Sequence, residues 1–166
     1  MFRGTFTAVV TPFRNGDIDF AAFEKLVEAQ IAAGITGVVA VGTTGESPTL
    51  THDEKHEVIQ RAIKIANGGC KVIAGAGTNS TRDSIEATKF AEKAGEDGAL
   101  LVAPYYNKPS QEGLFRHFKA IAGATSLPVM LYNIPGRCAV DIAADTVSDW
   151  RKRVAISFRS KKRAAA

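Results

Sequence analysis

Short, wholly apolar runs alternate along this chain with segments whose apolar residues recur every three or four positions. Residues 6–13 (FTAVVTPF) form the first run, ended by Pro12 and the turn pair Asn15-Gly16. Over residues 20–33, Phe20, Phe23, Val27 and Ile31 fall at helical spacing. Asp19 stands where a cap is needed, and Gly34 where the helix must stop. Residues 37–42 (GVVAVG) are a continuous apolar strand. Residues 53–66 read as a helix announced by Thr51 and, three positions on, Glu54. The alternation continues with CKVIAGAG before a helix at 80–94, and GALLVAPYY before a helix at 111–124. PVMLYNIPG is then a fifth strand, and Asp145 opens a further helix.

Strands that are apolar throughout are buried on both faces, as in a parallel sheet covered by helices. A strand–helix unit of about 25–30 residues, repeated, is the rhythm of a (β/α)8 barrel or of a doubly wound sheet. The barrel is favoured because polar residues follow every strand: Thr11, Thr43-Thr44, Thr78-Asn79, Tyr105-Tyr106-Asn107 and Tyr132-Asn133. A doubly wound sheet concentrates its site at one switch point instead. A complete barrel takes about 250 residues, so a chain of 166 is expected to hold about the first five βα units and an unfinished core.

Composition changes this picture only at one end. Of the 21 Lys and Arg residues, seven lie in residues 151–166, where there is no acid; residues 1–150 carry all 17 acids against 14 bases. The net charge of +4 is thus the property of a basic tail, residues 150–166, set against residues 1–149 as the N-terminal part of a barrel. Such a tail could serve nucleic acid, but only Trp150 and Phe158 are available to stack on bases, and no nucleic-acid partner is expected. No apolar run reaches the roughly 18 residues of a membrane span, and the N-terminus lacks a signal-peptide pattern, so a cytoplasmic protein with no membrane partner is expected. Cys70 and Cys138 have no metal-ligand spacing; they are expected to be reduced, buried thiols, with no metal and no cofactor.

The strand ends carry the chemistry. Residues 42–47 (GTTGES) offer backbone N–H groups and two hydroxyls to an anion but lack the lysine of a nucleotide-binding P-loop. Thr43, Tyr106 and Tyr132 could form a hydroxyl chain for proton transfer, and Arg137 could bind a carboxylate bidentately. His52, His56 and His117 fall on helical segments away from the strand ends, where surface or capping roles are expected.

Taken together, TAVVTPF, GTTGE, APYYNKPSQEG and YNIPGR resemble the dihydrodipicolinate synthase branch of the pyruvate-dependent N-acetylneuraminate lyase family, over residues 1–149. The arginine of YNIPGR points to the synthase branch rather than to the sialic acid lyases. The resemblance implies an oligomeric (β/α)8 barrel and a lyase of lysine and diaminopimelate biosynthesis. Its substrates would be pyruvate and aspartate semialdehyde, condensed through a Schiff base. It implies a proton relay of Thr43, Tyr106 and Tyr132, with Tyr106 reaching across a dimer interface. Thr44 would hold the pyruvate carboxylate and Arg137 that of the semialdehyde. It further implies a lysine-binding regulatory site near Ser47, His52, Asn79, Asp83 and Tyr105, with two imperfect matches: Lys55 stands where sensitive enzymes tend to have His, and Asp83 where they have Glu.

The family's Schiff-base lysine lies in a sixth-strand motif like IVSIKEASG, whereas this chain reads AISFRSKKRAAA. Restoring one C ahead of the Trp150 codon, with a suitable choice among synonymous codons, yields LAKACGDIVSIKEASG. The tail is therefore expected to be a frameshift product. Lys161 falls where that correction puts the catalytic lysine but lacks its sequence context, so this 166-residue form is expected to be inactive. The alternatives are a non-catalytic barrel fragment and another pyruvate-dependent aldolase or lyase such as N-acetylneuraminate lyase.

Overall fold

Four of the helices begin where the sequence supplies a capping side chain. A computed structural model describes residues 2–153. After strand β1 (Phe6–Ala8), two short strands, β2 (Phe13–Arg14) and β3 (Asp17–Ile18), form a hairpin about Asn15-Gly16. Helix α1 (Phe20–Ala32) follows, its first turn fixed by the Asp19 carboxylate accepting from the Ala22 N–H. Strand β4 (Gly37–Ala40) leads through a 3-10 turn (Ser47–Thr49) into α2 (His52–Ala66). That helix opens on a complete capping box, in which Glu54 Oε2 accepts from the Thr51 N–H at 2.7 Å and Thr51 Oγ1 accepts from the Glu54 N–H. Then come β5 (Lys71–Gly75), α3 (Thr81–Ala94) capped by Ser80, β6 (Gly98–Val102) and α4 (Gln111–Ala122) capped by Ser110. Strand β7 (Val129–Tyr132), the four-residue α5 (Pro135–Cys138) and α6 (Ala144–Arg153) complete the described chain.

The five long strands make one parallel sheet in the order β1-β4-β5-β6-β7, each neighbour joined by a helical crossover. This is five βα units of a (β/α)8 architecture, with all strand C-termini at one end. Two apolar clusters hold the helices to the sheet. One joins Phe23 and Val27 of α1 to Val38, Val58 and Val72; the other joins Leu101 to Leu114, Phe118 and Ile121 of α4. Burying each such side chain contributes about 1.5–3 kcal/mol.

Three expectations change. Strand β7 is half-buried at all four positions, where β4 is buried throughout, so the all-apolar pattern does not report equal burial. His117 is not a surface residue: it is buried between α3 and α4, with a 2.9 Å hydrogen bond joining its Nδ1 to Thr81 Oγ1 and its ring edge-on to Phe118. Burial also holds its pKa below the ordinary value. Trp150, read as the start of a separate tail, is buried in the second cluster, and α6 runs unbroken through it to Arg153. Both cysteines are buried and free. Residues 154–166, and Lys161 with them, lie outside the described residues.

Candidate active site

Two left-handed residues, Val41 and Glu46 (φ 54°), set the loop after β4. Val41 takes the left-handed region (φ 56°), which a β-branched residue rarely adopts. The loop it starts is tied down at several points. Thr11 Oγ1, buried, donates to the Gly45 carbonyl at 2.8 Å, the Glu46 N–H to Thr43 O at 3.2 Å, and the Ser47 N–H to Gly42 O at 3.3 Å. Gly45 fits closely here, since an added β-carbon would stand 3.2 Å from Val9 O and 3.3 Å from Thr11 Oγ1. The outcome is a closed loop at the C-terminal end of the sheet with both threonine side chains exposed.

A cavity of about 260 Å³ opens beside this loop, over the C-terminal ends of β4 to β7. Thr43, Tyr132 and Arg137, three of the residues singled out from sequence, line it together. Tyr132 is the last residue of β7, and Arg137 projects from α5, a turn the sequence reading had merged with the strand; Pro135 at its start and left-handed Ala139 at its end make it a discrete helical turn. Ser47 and Tyr105 also line the cavity.

The remaining predicted residues are not on it. Thr44 is exposed beside Thr43. Tyr106 is 88 % exposed and left-handed (φ 70°). Its loop is anchored by Asn107, whose Nδ2 donates to the Asn79 carbonyl at 2.8 Å, and Tyr106 is not among the residues lining the cavity of its own chain. A hydroxyl relay of Thr43, Tyr106 and Tyr132 is therefore not assembled within one chain. His52, the exposed first residue of α2, Asn79, and Asp83 in the first turn of α3 stand apart from the cavity as well.

Electrostatically the cavity is one-sided. Among the described residues, its charged lining groups are Lys55 and Arg137, both cationic. Burial pushes the Lys55 ammonium below its usual pKa, and burial pushes the thiol of Cys138, another lining residue, upward. Cys138 is thus held as a thiol. In the sequence Lys55 stands out only as an imperfect match, and Gly75 and Gly77 fall within the apolar run CKVIAGAG. Glycines inside and just beyond a strand pattern mark close backbone approach, and that signal was available. A β-carbon on Gly77 would meet the backbone of Leu101 and Val102.

The model of the dihydrodipicolinate synthetase family matches residues 1–156. The chain is 59 % identical over 147 residues to the 4-hydroxy-tetrahydrodipicolinate synthase of Rhodopseudomonas palustris (strain BisA53), which covers 89 % of this chain and 50 % of that one. Among solved structures, it is similar to the 4-hydroxy-tetrahydrodipicolinate synthase of Methylacidiphilum fumariolicum SolV (TM-score 0.91, 56 % identity, 93 % of this chain and 51 % of that one). It is similar also to the dihydrodipicolinate synthase of Acinetobacter baumannii solved in complex with pyruvate (TM-score 0.89, 51 % identity, 90 % and 52 %). The chain spans about half the length of these relatives.

Proposed function

The chain belongs to the dihydrodipicolinate synthetase family, and on that premise we propose that its site serves a 4-hydroxy-tetrahydrodipicolinate synthase, condensing pyruvate with aspartate semialdehyde through a Schiff base in the cytoplasm. The observation that carries the reading is that Thr43, Tyr132 and Arg137 face one cavity at the C-terminal ends of the strands, with no acid among the lining residues described. Both substrates are carboxylates, and a cation beside hydroxyl donors complements them.

The chemistry assigns each group a task. A lysine amine adds to the pyruvate ketone, and the carbinolamine loses its oxygen as water, which requires a proton delivered to that oxygen and one removed from nitrogen. The hydroxyls of Thr43 and Tyr132 are suited to carry those protons. Thr44 holds the pyruvate carboxylate through its exposed hydroxyl and the loop N–H groups, and Arg137 holds the semialdehyde carboxylate. Tyr106 completes the site of a second copy, which makes the working form a homo-oligomer. The amine itself is assigned to a sixth-strand lysine, whose counterpart here, Lys161, lies outside the described residues.

A chimera joining residues 1–149 to the second half of the Rhodopseudomonas palustris relative tests the reading. Treatment with pyruvate and borohydride should leave one reduced adduct per chain by intact mass, and a coupled assay should show consumption of semialdehyde. An adduct accompanied by cleavage of N-acetylneuraminate and no use of semialdehyde would establish the lyase alternative instead.

A further inference from the structure

The parallel sheet has two open edges and one face without helices. Among the described residues β1 pairs only with β4 and β7 only with β6, so the outer N–H and C=O groups of both edge strands lack a ladder partner. Val9, Val38 and Leu101 belong to the clusters that hold the helices, and Leu131 packs against the second of them. Side chains alternate across a strand, so Ala8, Val39, Leu100, Val102 and Met130 turn to the opposite face. The registers make them one apolar surface: Val39 stands beside Ala8 and Ile73, and Leu100 beside Gly75 and Met130. Ala8 is exposed, and Leu100, Val102 and Met130 are half-buried. Residues 154–166 of this chain are fewer than one further strand–helix unit of about 25–30 residues, and a full cover must pair two edges on opposite sides of the sheet at once.

We propose that this cover is a second copy of the chain, related to the first by a two-fold axis parallel to the strands. All five strands run in one direction, and rotation about such an axis preserves it. The β7 edge of each copy therefore meets the β1 edge of the other in parallel pairing, twice over, and no edge is left open. Five strands and five make a closed ring that turns about 36° per strand, against about 45° in an eight-stranded barrel. The apolar faces are enclosed by the same contact that satisfies the edge backbones. Because each copy uses both of its edges, assembly stops at two. This interface is separate from the one assigned to Tyr106, which stands on the loop after β6, and it stands whether or not the proposed reaction does.

The 166-residue chain itself provides the test. Light scattering on a sizing column at about 50 μM should give twice the mass of one chain, and the urea midpoint should rise with protein concentration, because association stabilises the fold by mass action. Met130→Glu puts a charge on the enclosed face of an edge strand and should halve the mass. Ala8→Glu, at a position exposed in the single chain, should do the same and covers the case in which Met130→Glu does not fold. Tyr106→Ala should leave the mass unchanged. A single-chain mass with a midpoint independent of concentration, or a mass that climbs beyond two chains, would overturn the proposal. So would a dimer that persists in a folded Ala8→Glu or is lost in Tyr106→Ala.

Discussion

The carbonyl oxygen of Val41 occupies the place a β-carbon on Gly75 would take. The left-handed turn at Val41, which costs on the order of 1–3 kcal/mol, aims this carbonyl at the end of the neighbouring strand while sending the chain on toward Thr43. The two features depend on each other: the strained conformation is possible only because Gly75 carries no side chain.

Gly75→Ala should therefore destabilise the fold by about 1–3 kcal/mol, because the obstruction is backbone rather than the movable end of a side chain. Gly136→Ala is the internal control, since no atom lies within 4 Å of its added carbon and the expected change is within about 0.5 kcal/mol. Urea unfolding of both variants decides the point; equal midpoints would contradict it.

Glu96 should make stability fall as pH rises. It is 5 % exposed at the end of α3, and neither carboxyl oxygen has a hydrogen-bond partner among the described residues. Burial first, and the charge of Asp97 second, raise its pKa from 4.5 to about 8. The folded state thus holds a proton that the unfolded chain releases near its lower pKa. The penalty for ionising Glu96 is absent at acid pH, grows through the window between the two pKa values, and is complete above about pH 8, where it amounts to a few kcal/mol on the order of 1.4 kcal/mol per unit. Glu96→Gln should gain more over the parent chain at about pH 9 than at about pH 6 in urea titrations. A gain independent of pH would show that Glu96 is ionised in the fold.

The 166-residue chain should not form a Schiff base with pyruvate. Lys161 is flanked by SFRS and KRAA, where the family motif has IVSI and EASG. Borohydride trapping followed by intact mass reads the outcome directly, and a stoichiometric adduct would refute it.

In the chimera, Arg137→Ala should impair use of the semialdehyde while leaving the pyruvate adduct intact. Losing a bidentate carboxylate contact should lower kcat/KM by about 2–4 kcal/mol. Equal loss of pyruvate trapping would remove Arg137 from the role assigned to it.

Local signals were legible in the sequence where local physics decides the structure. Asp19, Thr51 and Ser80 cap the helices they preface because an N-cap is satisfied within three residues. The alternation of strand and helix, and the gathering of Thr43, Tyr132 and Arg137 at one end, follow from the parallel topology. Burial of His117 was not legible, because the partner at Thr81 lies 36 positions away and depends on how α3 meets α4. Nor was the left-handed backbone of Tyr106, or the side-chain bond from Asn107 that ties its loop to the loop after β5. The small helix carrying Arg137 was hidden because IPGR has the composition of an ordinary turn.

Inhibition of the chimera by lysine should be weak or absent. Of the residues the resemblance links to a lysine site, Ser47 and Tyr105 line the cavity, while His52, Asn79 and Asp83 do not. Asn79 is bound to the Asn107 loop, and Asp83 lies 3.8 Å from the guanidinium of Arg82. Lys55, facing the same cavity, adds a repulsive charge where a ligand cation would sit. The shorter side chain of Asp83 also reaches less far than a glutamate to offset that repulsion. A coupled assay against rising lysine tests this, and half-inhibition below the millimolar range would show that some other group supplies the missing negative charge.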